Sequence, residues 1–109
     1  MRIERDLMRG AGPVAVMKLL ATGERYGYEL VALLEQRSRG VLAMGQGTLY
    51  PLLYNLETKG WVSSRVEVEG ARPRKYYRLT DAGKKQLARE VEQWEALKGA
   101  LTELGVLAG

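Results

Sequence analysis

The sequence contains no cysteine and no histidine among its 109 residues. These absences exclude disulfide bonds, thiolate metal sites and cysteine nucleophiles, and they remove the commonest general base and the commonest metal ligand. An enzyme would have to use paired carboxylates or a tyrosine–lysine site, and the sequence shows no such spaced constellation. We therefore expect a protein that is not an enzyme and that needs neither a metal nor another cofactor.

Long hydrophobic runs are also missing. No apolar stretch approaches the roughly 18 residues that suggest a membrane span, and the charged segment 1–9 lacks the apolar stretch of a signal peptide. We expect a soluble cytoplasmic protein without a membrane partner. Hydrophobic residues make up 46% of the chain, enough for one domain with a modest core, and a domain of this size gains from sharing apolar surface with a partner.

The positive charge is unevenly distributed along the chain. The formal net charge is +4. Residues 81–109 carry four basic and five acidic residues, a balance of −1, so residues 1–80 carry +5, from thirteen basic and eight acidic residues. A basic body followed by a nearly neutral tail is typical of a polyanion-binding domain with an attached packing helix.

Two helical patterns occupy the first part of the chain. The segment Leu7–Leu20 is largely apolar, and Pro13 is placed where a proline is tolerated at a helix start. A second pattern runs from Tyr26 to about Arg37, with an apolar leucine stripe.

A third helix is predicted from about Gln46 to Lys59. Its leucines recur at i, i+3, i+4 and i+7, which gives one buried face. Thr48 is a possible N-cap for this helix, and Pro51 would then fall in its first turn, where the missing N–H costs little.

The periodicity changes after the third helix. The segment Trp61–Val68 alternates in the manner of a strand, Gly70–Pro73 is predicted to form a turn, and Lys75–Leu79 is predicted to form the return strand of a β-hairpin. Thr80 is the predicted N-cap of a long last helix. Its apolar positions are close to a heptad seam and predict a dimer interface made by Leu87, Val91, Trp94, Leu97, Leu101 and Leu104.

Three short helices, a hairpin and a long helix are the elements of a winged helix-turn-helix. The predicted fold is therefore mainly α with a small β-hairpin, a winged helix-turn-helix with a long C-terminal dimerisation helix. Residues 1–80 would form the DNA-binding domain and residues 81–109 the dimerisation helix. The hairpin is then the wing, and the third helix is the element that would enter the major groove of double-stranded DNA.

The predicted wing concentrates positive charge around a tight turn. Arg72, Arg74 and Lys75 lie within four residues, and strand alternation places Arg74 with Tyr76 on one face and Lys75 on the other. Such cations can contact phosphates or enter a minor groove. A hairpin that carries these charges only for solubility is the alternative.

The third helix offers polar side chains outside its leucine face. Glutamine and asparagine can read adenine edges, and threonine and tyrosine hydroxyls can bind phosphates or bases. The predicted DNA contacts are therefore Gln46, Thr48, Tyr50, Tyr54 and Asn55, joined by Tyr26 at the start of the second helix. An ordinary amphipathic helix, and a structural tyrosine at position 26, are the alternatives.

Several short motifs stand out along the chain. They are Tyr26-Gly27-Tyr28-Glu29-Leu30, Gly47-Thr48-Leu49-Tyr50-Pro51, Leu56-Glu57 with Gly60, and Arg72-Pro73-Arg74-Lys75-Tyr76-Tyr77-Arg78-Leu79-Thr80 with Gly83. Together these motifs resemble the PadR family of bacterial transcription regulators. The resemblance extends from about Leu7 to Trp94, and the short tail is similar to the smaller subfamily with a single C-terminal helix.

The resemblance implies a homodimer whose third helix enters the major groove, with residues 47–51 at its DNA-proximal end and the wing, residues 69–75, against the backbone or minor groove. Members usually repress, and many respond to small aromatic compounds. Trp94 matches a position that stacks such an effector at the dimer centre, and Leu7 and Val14 match positions that line the same pore. The alternatives are that Trp94 is simply an interface residue, and that the winged helix serves protein–protein contact without specific DNA binding.

Overall fold

The computed structural model describes residues 1–109, apart from the side chain of Glu69. The helices and strands follow one another as α1 (Arg5–Ala21), β1 (Arg25–Tyr26), α2 (Gly27–Arg37), α3 (Gln46–Thr58), β2 (Val62–Glu69), β3 (Arg72–Leu79) and α4 (Asp81–Glu103). The sheet is antiparallel with strand order β1-β3-β2. This order of elements confirms the predicted winged helix-turn-helix. In the described part of the chain, no helix is both long and apolar enough to cross a bilayer.

The core lies between the helices and the base of the hairpin. The side chains of Met17, Leu30, Leu49 and Leu53 are fully buried there, and Tyr77 and the strand ends join the same cluster. Burial of apolar surface at roughly 25 cal/mol per Å² is what fixes the helices against one another. The leucine face predicted for α3 is thus confirmed as the face that packs inward.

The starts of two helices differ from the sequence predictions. Pro13 lies inside α1, which begins at Arg5, because the apolar contacts of Met8 and Gly12 with the core continue the helix through the proline. Thr48 is not the N-cap of α3, because Gly45 occupies that position and Pro51 falls beyond the first turn. In both helices packing outweighs the preference of proline for the first turn.

The hairpin turn is also shorter than predicted. Only Gly70 and Ala71 lie between the paired strands, so Arg72 and Pro73 belong to β3. The strand β1 was not predicted, because two residues are too few to show an alternation of apolar and polar side chains. Its pairing with β3 ties the hairpin to the residue that precedes α2.

Helix α4 is fastened to the body at its first turn. Thr80 caps it by accepting a hydrogen bond from the Gly83 N–H, as predicted for this residue. The Thr80 hydroxyl donates to the carbonyl of Gly60 at 2.7 Å, and its backbone N–H donates to the carbonyl of Trp61 at 3.0 Å. Gly83 rests directly on that Trp61 carbonyl, where a Cβ would collide with backbone.

Candidate nucleic-acid interface

The outer side of α3 carries five of the predicted DNA contacts, Gln46, Thr48, Tyr50, Tyr54 and Asn55. All five side chains are exposed in the structure. Tyr54 has the highest exposed fraction of the tyrosines, 69%. The five side chains divide between two flanks. Thr48 and Asn55 face a groove of about 1100 Å³ between α1, α3 and the start of α4. The groove is also lined by Arg2, Arg5 and Arg9, so cations from the N-terminal segment lie beside this flank of α3.

Tyr50 lies on the other flank of α3 and packs against α2. Its hydroxyl lies so close to Gly27 that a Cβ at position 27 would overlap it, and the ring remains 40% exposed. The contact fixes the spacing between the first turn of α2 and the middle of α3. Tyr50 is therefore both a structural contact and an accessible hydroxyl.

The hairpin presents two chemically different faces. Directly paired residues of antiparallel strands share a face, so the register places Arg65, Glu67, Arg72, Arg74, Tyr76 and Arg78 together. We call this the arginine face. The opposite face carries Val66, Val68, Lys75 and Tyr77. The predicted separation of Arg74 from Lys75 is confirmed by this register.

Two cations of the hairpin, Arg74 and Lys75, lie against the helix-turn-helix. The Lys75 Nζ is 3.8 Å from an Oε1 of Glu57 on α3, and Glu57 also accepts a hydrogen bond from the Ser64 hydroxyl at 2.9 Å. The guanidinium of Arg74 lies 4.9 Å from the centre of the Tyr26 ring, at the start of α2. The hairpin therefore contacts α3 through Lys75 on one face and the residue that precedes α2 through Arg74 on the other.

Sequence reasoning missed Arg65 and Glu24. Arg65 makes a bidentate pair with Glu24, with N–O distances of 2.9 and 2.6 Å, and a further pair with Glu67 at 2.9 Å. The hydrogen bonds from Arg65 hold the pKa of the Glu24 carboxyl below its usual value. The partners are 41 residues apart, so only the strand register could have revealed them.

Two of the three predicted effector-binding residues lie together. Val14 and Trp94 line a second cavity, of about 790 Å³, between α1 and α4, and Lys18 and Lys84 lie at the same cavity. Leu7 is 62% exposed on α1 and is not among the residues that line it. The cavity can hold a flat apolar group against an indole ring, with two ammonium groups nearby.

The predicted dimer seam is mostly open. Leu87 is buried in the chain's own core, so the surface left for a partner begins one turn later. Val91 is 43% exposed, Leu97 47% and Leu104 77%. Trp94 and Leu101 are partly covered.

Comparisons with known proteins agree with this architecture. Residues 16–89 match the model of the transcriptional regulator PadR-like family. A transcriptional regulator of Mycobacterium tuberculosis is 32% identical over 93 residues, which cover 85% of this chain and 84% of that protein.

Solved structures show the same likeness. A transcriptional regulator from Clostridium thermocellum superposes with a TM-score of 0.84 at 30% identity, covering 90% of this chain and 96% of its own. Bacillus subtilis PadR, solved in complex with operator DNA, gives a TM-score of 0.69 at 27% identity, over 74% of this chain and 45% of its own. The chain belongs to the PadR-like family of transcriptional regulators.

Proposed function

We propose that this protein is a sequence-specific DNA-binding repressor that acts in the cytoplasm as a homodimer. One observation carries the proposal: two cations of the hairpin lie against the helix-turn-helix, Lys75 beside Glu57 of α3 and Arg74 over Tyr26, the N-cap of α2. The likeness to Bacillus subtilis PadR, which was solved with operator DNA, supports the same use of the fold.

In this proposal, phosphate contacts and base contacts come from different elements. Arg72, Arg74 and Lys75 contact phosphates or the minor groove, and the hydroxyls of the nearby tyrosines and Thr48 add neutral phosphate contacts. Gln46 and Asn55 read base edges in the major groove. The tyrosines concerned are Tyr26, Tyr50 and Tyr54.

The exposed part of α4 is the proposed dimer interface. Residues 1–80 bind DNA, and residues 81–109 join two subunits along Val91, Trp94, Leu97, Leu101 and Leu104. Two-fold symmetry then sets the third helices of the dimer about 34 Å apart, one turn of DNA, and requires a near-palindromic operator.

The cavity beside Trp94 is the proposed effector site. A small aromatic compound that stacks on this indole, with Val14 and Leu7 from either subunit around it, shifts the population toward a helix spacing that does not fit the operator. Lys18 and Lys84 at the cavity favour a neutral or anionic compound over a cation.

The experiment is a gel shift with the DNA upstream of the protein's own gene and a scrambled fragment of equal length, repeated between about 50 and 200 mM salt. The wild type is expected to prefer the genomic fragment. Arg72→Ala and Arg74→Ala are each expected to reduce the salt slope of log K by about 0.9 for each lost phosphate contact. Asn55→Ala is expected to relax sequence preference with the slope unchanged.

Arg37→Ala, an exposed cation in the last turn of α2, is the matched control and should leave the slope unchanged. A protein that stays monomeric at micromolar concentration and binds genomic and scrambled DNA equally would contradict the proposal. Ligand titrations followed by Trp94 fluorescence, with Trp94→Ala as control, test the effector separately.

A further inference from the structure

Arg65 lies in the basic hairpin, but its charge is already engaged within the chain. Two of its nitrogens bind the Glu24 carboxylate, and a third binds Glu67. These carboxylates raise the pKa of Arg65, and Arg65 in turn lowers that of Glu24. A guanidinium held by two carboxylates has few donors left for a phosphate group.

The position of Glu24 in the sequence puts this ion pair just before α2, the first helix of the helix-turn-helix. Glu24 immediately precedes β1 (Arg25–Tyr26), and Tyr26 is the N-cap of α2. The Arg65–Glu24 pair therefore links strand β2 to the residues that lead into α2. Bidentate arginine–carboxylate pairs fix direction as well as distance.

A row of side chains in cation–π and aromatic contact extends from Arg65 to Arg74. The Arg65 guanidinium lies 5.0 Å from the centre of the Tyr76 ring, and Tyr76 meets Tyr26 edge to face, with ring centres 5.7 Å apart. Tyr26 carries the Arg74 guanidinium 4.9 Å from its centre. Arg65, Tyr76 and Arg74 belong to the hairpin, and Tyr26 at the start of α2 lies between the last two, so the rings restrain both cations against the helix-turn-helix.

We propose that Glu24, Arg65 and Tyr76 are positioning residues for DNA binding: they hold the hairpin at the angle that sets Arg74 over Tyr26. Arg65 does not contact phosphate. This inference rests on the proposed function, since it concerns how the wing is aimed at DNA. Arg65 and Tyr76 belong to the basic hairpin, and their role in this inference is to position the wing, not to contact DNA.

Glu24→Gln separates positioning from simple electrostatics. The substitution makes the protein more positive by one charge, so electrostatics alone would tighten DNA binding. Loss of positioning should weaken it. The assay is the salt-dependent gel shift on the preferred genomic fragment, with circular dichroism melts to confirm that each variant is folded at the assay temperature.

Glu24→Gln and Arg65→Gln are each expected to weaken binding about fivefold, with the salt slope of the wild type. The matched controls are Glu35→Gln and Arg37→Gln, exposed residues of α2 that change the net charge by the same amounts. They should shift affinity only slightly, each in the direction of its charge. Tyr76→Phe keeps the stacked ring and should bind like the wild type, whereas Tyr76→Leu should lose about as much as Glu24→Gln.

The outcomes are distinct. Tighter binding by Glu24→Gln with a steeper salt slope, or a slope reduced by about 0.9 in Arg65→Gln, would identify Arg65 as a phosphate contact and overturn the inference. Unchanged affinity in folded Glu24→Gln and Tyr76→Leu would also overturn it. A wild type without any preference for genomic DNA overturns the proposed function instead, and the inference with it.

Discussion

The winged body and the outer part of α4 use the same kinds of apolar residue with opposite results. In the body, Leu30, Leu49 and Leu53 have no exposed surface. Beyond Leu87, α4 leaves Leu97 and Leu104 about half or more exposed. One region completes its core within the chain, and the other leaves an apolar seam without a cover among the described residues.

Periodicity identifies an apolar face of a helix but not what covers that face. The leucine spacing of α3 and the seam of α4 were read from the sequence by the same rule. Only the tertiary structure shows that α3 packs under its own neighbours. The two tryptophans allow the regions to be followed separately, since Trp61 lies in the body and Trp94 on α4.

The largest effect is expected in the body. Leu53→Ala removes a fully buried side chain and should lower the free energy of unfolding by about 3 kcal/mol, through lost transfer energy and the cavity that remains. Denaturant unfolding, followed by Trp61 fluorescence in a Trp94→Phe background, measures it. The loss should not depend on protein concentration, and a loss below about 1 kcal/mol would contradict the assigned core.

A substitution in the seam should instead act on association. Leu97→Glu puts a charge into the proposed interface and should raise the dimer dissociation constant about 30-fold. Sedimentation equilibrium measures the change. Ala96→Glu adds the same charge on the opposite side of α4 and is the control. Equal dissociation constants for the two variants would remove this seam from the interface.

The smallest effect is a pH dependence confined to the body. Burial raises the pKa of the Tyr77 hydroxyl above its ordinary value, and the nearby Glu57 carboxylate adds to the shift. The folded state thus favours the neutral form of the Tyr77 hydroxyl. The stability that this preference contributes is present below the unfolded pKa of about 10 and is lost as the pH rises through the folded pKa.

Urea unfolding at about pH 9 and pH 11 tests this expectation. The wild type should lose more stability across that interval than Tyr77→Phe, which has no hydroxyl to ionise. Losses of equal size would show that the folded chain does not discriminate against the tyrosinate. No tyrosine occurs in residues 81–109, so the effect should leave α4 association unchanged.

Local chemistry was enough to predict much of this structure. The Thr80 cap, the end of α2 and the two faces of the hairpin followed from residue types and alternation. The start of α1 could not be predicted in this way, because the continuation of the helix through Pro13 depends on contacts with distant residues. The pairing of Arg65 with Glu24 was hidden for the same reason, since two residues 41 positions apart meet only after the sheet has formed.

Gly83, seated on the Trp61 carbonyl, makes a rigid joint between α4 and the segment that links α3 to β2. Trp61 is the last of the three residues between the end of α3 and the start of β2, and its carbonyl accepts the backbone hydrogen bond of Thr80, the N-cap of α4. Without a side chain at the joint, backbone meets backbone, and no flexible group absorbs a tilt. A rotation of α4 would therefore be transmitted to α3 and the hairpin together, and in the proposed dimer the subunit spacing and the direction of the wing would change together.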